Sequence, residues 1–373
     1  MEPAVTENGR RQDMISAMTR MVWMVLLLVS VSTVPVAGQP GTTVDPDSAG
    51  GPAISSASQA QPPFTMNIGT RVQVRYSYLD RDDEDAIGSF GIRRGRLSLS
   101  GTAYQRFDYA AQVELAGASA RLLDFNVRYR LAPVATIWLG QGKAPFGRQQ
   151  LTSSGNLHMV DRAITDGRFA PGRQQGIALI GHDAARTFEY GAGIYNGNGI
   201  NAANPNDAYM YVGRVVLTPL GAYGPAESVF DYPDRPRVAL GVAGMRNTVG
   251  ASELETDVTR LGVEAAFKMR GFNSTGEFFR EWQSPAVGDG VDTDGWYVQA
   301  GYLLPGRRHE IAARYAVIQP DTPADNDVIE TGVGYSLYFN AHRAKLQADL
   351  RNISRRATDS DDLELRVQFQ LAL

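Results

Sequence analysis

The feature that most constrains the fold of this chain is a strict alternation of apolar and polar residues at its end. Between residues 363 and 373 the two sets of alternate positions differ in polarity: Leu363, Leu365, Val367, Phe369, Leu371 and Leu373 are apolar, whereas Glu364, Arg366, Gln368 and Gln370 are polar. Successive side chains of a β-strand point to opposite faces, whereas a helix would mix the two sets. The pattern therefore predicts a strand with one apolar and one polar face.

The same alternation recurs along the chain from residue 64 onward. Sixteen such segments begin near residues 66, 91, 107, 121, 134, 174, 186, 208, 236, 257, 272, 293, 307, 326, 342 and 361. An even number of amphipathic strands is typical of transmembrane barrels in bacterial outer membranes. We therefore predict an all-β fold over residues 64–373, a transmembrane antiparallel β-barrel of about 16 strands. A secreted β-sandwich binding module has similar strands and remains an alternative.

The connections between these segments also alternate in length. Short breaks at 131–133, 270–272, 304–307 and 339–342 interleave with longer ones, of which 80–85, 321–327 and 359–362 are acidic. Short periplasmic turns and long outer loops produce this order in outer-membrane barrels. Residues 219–235 form a turn that is longer than the pattern predicts.

The first residues have the features of an export signal. Arg20 precedes the apolar run 21–29, and the small residues Ala37 and Gly38 follow it, which is the order of a signal peptide. We predict a signal peptide over 1–38, with its true start at Met18 or Met21, and a disordered periplasmic leader over 39–63, which is rich in Pro, Gly, Ser and Ala. This predicts delivery to the bacterial outer membrane after export.

The composition excludes several other kinds of site. The chain has no Cys, which excludes a disulfide framework and a thiolate metal site. Its four histidines lie far apart, and no metal-binding, catalytic or nucleotide-binding spacing is present. We therefore predict no cofactor, no metal, no catalytic site and no nucleic-acid partner.

Arginine is the chemical feature of the polar strand faces. The alternation directs twelve arginines toward the interior of the barrel: Arg71, Arg75, Arg94, Arg96, Arg128, Arg130, Arg214, Arg260, Arg270, Arg314, Arg351 and Arg366. A guanidinium stays charged at physiological pH and matches the oxygens of phosphate or carboxylate. Rows of such side chains predict anion conduction. The alternative is that these arginines pair with Glu114, Asp124, Glu264, Glu277 and Asp349 and only stiffen the wall.

Residues 143–173 are the longest stretch without alternation inside the barrel region. They carry an excess of positive charge, through Lys143, Arg148, Arg162, Arg168 and Arg173 against Asp161 and Asp166. Loops of this length usually carry function. Folded into the barrel, this third long loop would constrict the channel, and Lys143, Arg148 and Arg173 would bind anions there.

Three motifs resemble the phosphate-selective porin O and P family. They are 91–101 (GIRRGRLSLSG), 140–147 (GQGKAPFG) and the Thr-Ser-Ser of 152–154, and the likeness spans about residues 64–373. The resemblance implies a trimer of sixteen-stranded barrels, an infolded third loop and an arginine ladder that leads to a phosphate-binding constriction. By position, Arg94 and Arg96 correspond to ladder residues, and Ser153 and Ser154 to hydroxyls of the constriction.

The chain departs from the family at one place near this motif. Phosphate-selective members have a lysine shortly before the Thr-Ser-Ser, where this chain has Gln149 and Gln150. We therefore predict passive diffusion of small anions, with phosphate or polyphosphate as candidates, and outer-membrane lipid, lipopolysaccharide and two further copies of the chain as partners. A general or sugar-type porin and a barrel-based hydrolase remain alternatives, although the interior aromatic track that sugars need would have only Tyr104, Tyr297 and Tyr338.

Overall fold

The computed structural model describes residues 64–82, 84–250 and 254–373, so the predicted signal peptide and leader lie outside the described residues. Within the described ranges the chain forms sixteen strands. They are β1 (Asn67–Arg81), β2 (Ile87–Ala103), β3 (Phe107–Glu114), β4 (Arg121–Ala132), β5 (Ala135–Lys143), β6 (Arg173–His182), β7 (Phe188–Tyr195), β8 (Met210–Leu217), β9 (Arg237–Val249), β10 (Thr256–Met269), β11 (Phe272–Pro285), β12 (Thr293–Leu303), β13 (His309–Pro320), β14 (Val328–Asn340), β15 (Ala344–Arg355) and β16 (Ser360–Ala372).

The strands form one closed antiparallel barrel in which each strand pairs with its neighbours in sequence. The barrel closes between β1 and β16, where Val72 lies opposite Leu371 and Gln73 lies opposite Gln370. Closure pairs the backbone groups that a sheet edge would leave open. The predicted all-β barrel is confirmed, including its sixteen strands.

The two faces of the barrel wall differ as the alternation predicts. Val72 and Val74 on β1 are each 43% exposed on the outer face, whereas Gln73 between them is fully buried. Exposed apolar and buried polar side chains invert the arrangement of a water-soluble protein, and they match a wall that faces lipid outside and polar groups inside. Among the described residues, no helix is long and apolar enough to cross a membrane.

Two connections are much longer than the others. The 144–172 segment joins β5 to β6 and contains two short helices, α1 (Arg148–Leu151) and α2 (Ile164–Phe169). The 218–236 segment joins β8 to β9 on the side of the barrel where the other connections are short, such as 104–106 and 270–271. Both segments make hydrogen bonds to inward-facing side chains of the barrel.

One arginine assigned to the interior is placed elsewhere. Arg270 lies in the turn between β10 and β11 with φ of 48°, and its side chain is 65% exposed beside Asp234. The prediction that Arg270 faces the interior is wrong, because the strand ends at Met269 and alternation does not continue through a turn.

Candidate functional site: a basic cavity inside the barrel

The 144–172 segment is attached to β1 and β2 through one carboxylate. Asp161 accepts hydrogen bonds from Arg75 at 2.8 Å and from Arg94 at 2.9 Å. Arg93 also reaches Asp161, at 3.3 Å. A β-bulge explains the third contact: Gln73 pairs with Arg94 and Val74 pairs with Ile92, so Arg93 is an extra residue in the ladder. Bulges commonly redirect a side chain in this way.

These three guanidinium groups determine the charge state of Asp161. Burial by itself raises the pKa of this carboxyl, but Arg94, Arg75 and Arg93 outweigh burial and hold the pKa well below its ordinary value. Asp161 is therefore an anion at neutral pH, and it neutralises part of the charge of Arg75, Arg93 and Arg94.

Carboxylates on the opposite strands bind the backbone of the same segment. Val160 donates its N–H to Asp349 on β15 at 3.1 Å, and Ile164 donates to Glu330 on β14 at 2.8 Å. Gln149 donates its backbone N–H to Glu277 on β11 at 2.9 Å. These bonds satisfy backbone donors in a segment that has little regular structure of its own.

The 218–236 segment meets the 144–172 segment. Glu227 accepts a hydrogen bond from the backbone N–H of His158 at 2.9 Å, and its own N–H donates to the carbonyl of Asn156 at 3.1 Å. Lys268 on β10 donates to the carbonyl of Gly224 at 2.9 Å. Burial by itself raises the pKa of Glu227, but the neighbouring His158 and other polar groups lower it. The net shift of the pKa is downward. The sequence signals this segment only through its excess length.

A cavity of about 340 Å³ lies between the 144–172 segment and the inward faces of β2 to β7. We call it the basic cavity, because it is lined by five cationic side chains and one carboxylate: Arg96, Arg128, Lys143, Arg162 and Arg173 with Asp124. Four further lining residues carry hydroxyl groups: Ser98, Ser100, Ser153 and Ser154. Such a lining attracts anions and offers hydrogen-bond donors to them.

The positive charge of the basic cavity is only partly compensated by carboxylates. Arg173 forms two hydrogen bonds of 2.9 Å with Asp124, and Arg96 bonds Glu114 at 2.9 Å. Lys143 donates to the carbonyls of Leu151 and Thr152.

Arg162 and Arg128 differ in how they are held. Arg162 donates to the carbonyls of Gln149 at 2.8 Å and Thr152 at 2.7 Å, and Asp166 lies 3.8 Å away. Burial raises the pKa of Asp166. Arg128 makes no hydrogen bond or ion pair with any residue in the described ranges, so its guanidinium donors face the cavity.

The serine hydroxyls lie beside these cations. Ser154 Oγ accepts hydrogen bonds from Arg96 at 3.3 Å and from Arg71 at 3.4 Å. Ser153 Oγ accepts from the N–H of Gly155 at 3.3 Å. In each case the hydroxyl hydrogen can rotate, so it remains able to donate to a bound anion.

The structure brings together six of the eleven residues predicted for the site. Lys143, Ser153, Ser154, Arg173, Arg96 and Arg128 line the basic cavity. Arg71, Arg75 and Arg94 face inward but are covered by the 144–172 segment. Two others lie elsewhere: Arg148 pairs with Glu264 at 2.8 Å, and Arg130 bonds Asp108 at the end of β4.

One cation of the basic cavity, Arg162, is not among the site residues predicted from the sequence. It was visible as part of the basic charge of 143–173, but no spacing rule separates it from Arg148 and Arg168 in that stretch. Only the path of the segment decides which of these side chains reaches the cavity.

The fold and this cavity define an outer-membrane porin. The family model of the phosphate-selective porins O and P matches residues 66–372. The chain belongs to this family, as its motifs suggested, and its place is the bacterial outer membrane.

Solved structures share the barrel at low sequence identity. An anion-selective porin from Comamonas acidovorans is 15% identical, with a TM-score of 0.61, over 83% of this chain and 100% of that chain. The outer membrane channel DcaP of Acinetobacter baumannii is 11% identical, with a TM-score of 0.58, over 86% and 99%. OmpT of Vibrio cholerae is 12% identical, with a TM-score of 0.56, over 85% and 99%. No curated protein sequence matches this chain significantly.

Proposed function

We propose that this porin passes small anions, with phosphate as a candidate, and that the basic cavity is the place where it selects them. The observation that carries the proposal is the composition of the cavity lining, in which five cationic side chains face one carboxylate. The neighbour from Comamonas acidovorans is described as anion-selective, which agrees with this assignment. Transport is passive, so no chemical step is needed.

The arrangement of donors suits a permeating anion. Charges in a narrow cleft with low-dielectric walls raise the local concentration of the opposite ion. Arg128 offers a planar fork to two oxygens of a phosphate or carboxylate, and the hydroxyls of Ser153 and Ser154 supply further donors. Because Arg96 and Arg173 already have carboxylate partners, they attract an anion without binding it very tightly. A selective pore needs such moderate sites, which the ion can enter and leave.

The 144–172 segment is the constriction in this proposal. Its hydrogen bonds reach β1, β11, β14 and β15, which supports a path across the interior of the barrel. The same proposal includes export by a signal peptide over 1–38, assembly as a trimer and contact with lipopolysaccharide.

Two alternatives have weaker support. A sugar porin needs an aromatic track, but Tyr104 lies in a turn between β2 and β3, and Tyr297 and Tyr338 are buried against Glu277 and Glu310. A hydrolase needs an accessible base, but the His158 side chain is only 1% exposed and lies between Glu227 and Glu310. A substrate in the basic cavity has no access to this imidazole.

A planar lipid bilayer tests the proposal directly. The protein is purified in detergent and inserted, the reversal potential is measured in a KCl gradient, and phosphate is then titrated against the chloride current. We expect a reversal potential on the anion side and a chloride current that phosphate reduces. A cation-selective reversal potential would overturn the proposal, and an anion-selective current that phosphate leaves unchanged would remove phosphate from it.

A further inference from the structure

The basic cavity has a second wall that carries no charge. The inward faces of β5, β6 and β7 contribute apolar and aromatic side chains to it: Trp138, Ala178, Ile180 and Tyr195. The 144–172 segment adds Pro145 and Leu151. Arg96 and Arg128 come from β2 and β4, Lys143 and Arg173 stand at the ends of β5 and β6 next to the segment, and Arg162 belongs to the segment. Charged and apolar surface therefore lie side by side in one cavity. A site for a bare inorganic ion has no use for such a wall, because apolar surface gives that ion no favourable contact.

Glycines on the same strands make room for the two aromatic rings. A Cβ on Gly142 would lie 2.9 Å from the Trp138 ring, and a Cβ on Gly176 or Gly193 would lie 2.6 Å or 2.7 Å from the Tyr195 ring. Each distance is too short for a real Cβ contact. The rings therefore lie close against the wall, with their centroids 6.0 Å apart and their planes tilted by 50°.

The apolar wall and the free cation are next to each other. Arg128 on β4 lies directly opposite Trp138 on β5 in the strand register, and Trp138 lies opposite Ala178 on β6. Directly opposite residues in an antiparallel pair have Cβ atoms roughly 5 Å apart on the same face. One small molecule can therefore contact the Arg128 guanidinium and the Trp138 ring together.

We propose that the basic cavity selects small organic anions, specifically carboxylates with an aromatic body, over inorganic anions of the same charge. This inference rests on the proposed anion-conducting function and deepens it by naming a substrate class. The carboxylate binds Arg128 as a planar fork-to-fork pair, and the ring packs on Trp138, Ile180 and Tyr195. A cavity of about 340 Å³ has ample room for such a ring, because an apolar cavity of about 150 Å³ already holds benzene.

The test compares blockers of the chloride current through the purified porin in a planar bilayer. Benzoate, acetate and phosphate are titrated separately at the same ionic strength, with benzyl alcohol as the neutral analogue. We expect benzoate to block at a concentration about fivefold or more below acetate, the range that a single aromatic contact provides. Benzyl alcohol, which lacks the anion, is expected to block much less than benzoate.

Variants locate the effect. Trp138→Ala should strongly reduce the advantage of benzoate over acetate. Trp296→Ala is the matched control, because Trp296 lies beside Tyr315 on the opposite face of β12 from the buried Tyr297. If Trp138→Ala does not fold, Ile180→Thr makes the same test with a smaller change in volume.

The outcomes separate this inference from the proposed function. Equal block by benzoate and acetate in an anion-selective channel would overturn the aromatic carboxylate and leave the anion channel intact. Equal block by benzyl alcohol and benzoate would also overturn it, because the site would then be merely apolar. A channel without anion selectivity would remove both.

Discussion

The interior of this barrel has two sides that contain the same kinds of charged residue and use them differently. On the side of β2 to β7 the basic cavity holds five cations and one carboxylate. On the side of β10 to β16, which we call the packed side, several buried carboxylates are paired with arginines. Arg314 and Glu330 lie 3.3 Å apart and are fully buried, and Arg366 and Asp349 share two bonds of 2.7 Å.

The packed side is also filled by apolar contacts from the two long segments. Phe169 of α2 stacks on Phe279 of β11 with ring centroids 5.2 Å apart, and Phe146 lies 6.0 Å from the same ring. The 218–236 segment adds Phe230, which packs edge-on against Tyr338. Arg128, by contrast, lines the basic cavity.

The comparison shows that an inward arginine has no fixed role. Its role depends on whether a carboxylate on the next strand neutralises it and on whether a segment covers it. Arg366 lies opposite Asp349 in the register and bonds it. Arg128 lies between Asp108 and Trp138 in the register, but Asp108 is bonded by Arg130 instead. Arg366 is a structural cation and Arg128 is available to a solute.

The strongest test of the packed side is to remove one member of a buried pair. Arg366→Met leaves Asp349 without its cation, and losing one partner of a buried pair costs about 3–5 kcal/mol. We expect the free energy of unfolding to fall by about this amount, measured by urea denaturation in detergent with tryptophan fluorescence as the signal.

The double variant Arg366→Met with Asp349→Asn is the control. It removes the unpaired charge but keeps an acceptor for the N–H of Val160, so most of the lost stability should return. A single variant as stable as the parent would show that the pair contributes nothing, and the distinction between the two sides would fail.

The equivalent test of the basic cavity changes its charge. Arg128→Glu replaces an unpaired cation with an anion, and two unit charges at about 6 Å in water interact by about 0.7 kcal/mol. The reversal by two charges disfavours an anion by about 1.4 kcal/mol and favours a cation by the same amount, so the anion-to-cation permeability ratio should fall by about a hundredfold, measured as a reversal potential. No pair is broken, but the new carboxylate would lie opposite Asp108 on β3, so we expect a loss of stability of no more than about 1 kcal/mol.

Arg246→Glu makes the same change of charge outside the barrel interior. Arg246 is 69% exposed on β9, and its guanidinium pairs with Asp257, which is also largely exposed. An effect on permeability as large as that of Arg128→Glu would mean that overall charge, and not the cavity, sets selectivity.

The strands were predictable from the sequence because lipid on one side and polar groups on the other impose a period of two. Most strands begin within two residues of the predicted position. The largest difference is at β2, which begins at Ile87, four residues before the alternation predicted. Gly88 and Gly91 explain this difference, because a residue without a side chain contributes nothing to a pattern of polarity.

The division into two sides was not predictable, because alternation gives the face of a residue and not its neighbours. Arg94 and Arg96 have the same parity on β2, but Asp161 covers Arg94 and Arg96 lines the cavity. That outcome depends on the paths of the 144–172 and 218–236 segments. These paths are fixed by hydrogen bonds between residues that are far apart in sequence, such as Glu227 with His158 and Glu277 with Gln149.

The two glutamines before the Thr-Ser-Ser lie on different sides of the barrel interior, and replacing them should have a smaller effect on the channel. Gln150 lines the basic cavity, whereas Gln149 is turned toward the packed side, where it donates to Gln299 at 3.0 Å and to Glu227 at 3.3 Å. Gln150→Lys should lower the phosphate concentration that halves the chloride current by about threefold, the contribution of one added charge at about 6 Å in water.

Gln149→Lys is its matched partner, with the same chemical change one residue away. Its ammonium would meet Glu227 and leave phosphate block nearly unchanged. If Gln149→Lys strengthened phosphate block more than Gln150→Lys, the assignment of these two side chains to different sides would be wrong.

The smallest expected effect is the response of the 144–172 segment to mild acid. A carboxyl whose pKa is lowered in the folded protein contributes its stabilisation above its ordinary pKa, and loses it only as the pH falls through the lowered value. Because the guanidinium groups around Asp161 hold its pKa well below the ordinary 3.8, its attachment to Arg75, Arg93 and Arg94 should be unchanged between about pH 7 and pH 5. We expect the frequency of current fluctuations to stay constant over this range, measured in single-channel recordings. Asp161→Asn removes the charge of this attachment at every pH, so current fluctuations in that variant should be more frequent throughout. Fluctuations that rise in the parent between pH 7 and pH 5, and not in Asp161→Asn, would show that Asp161 titrates in this range and is not held by the three arginines.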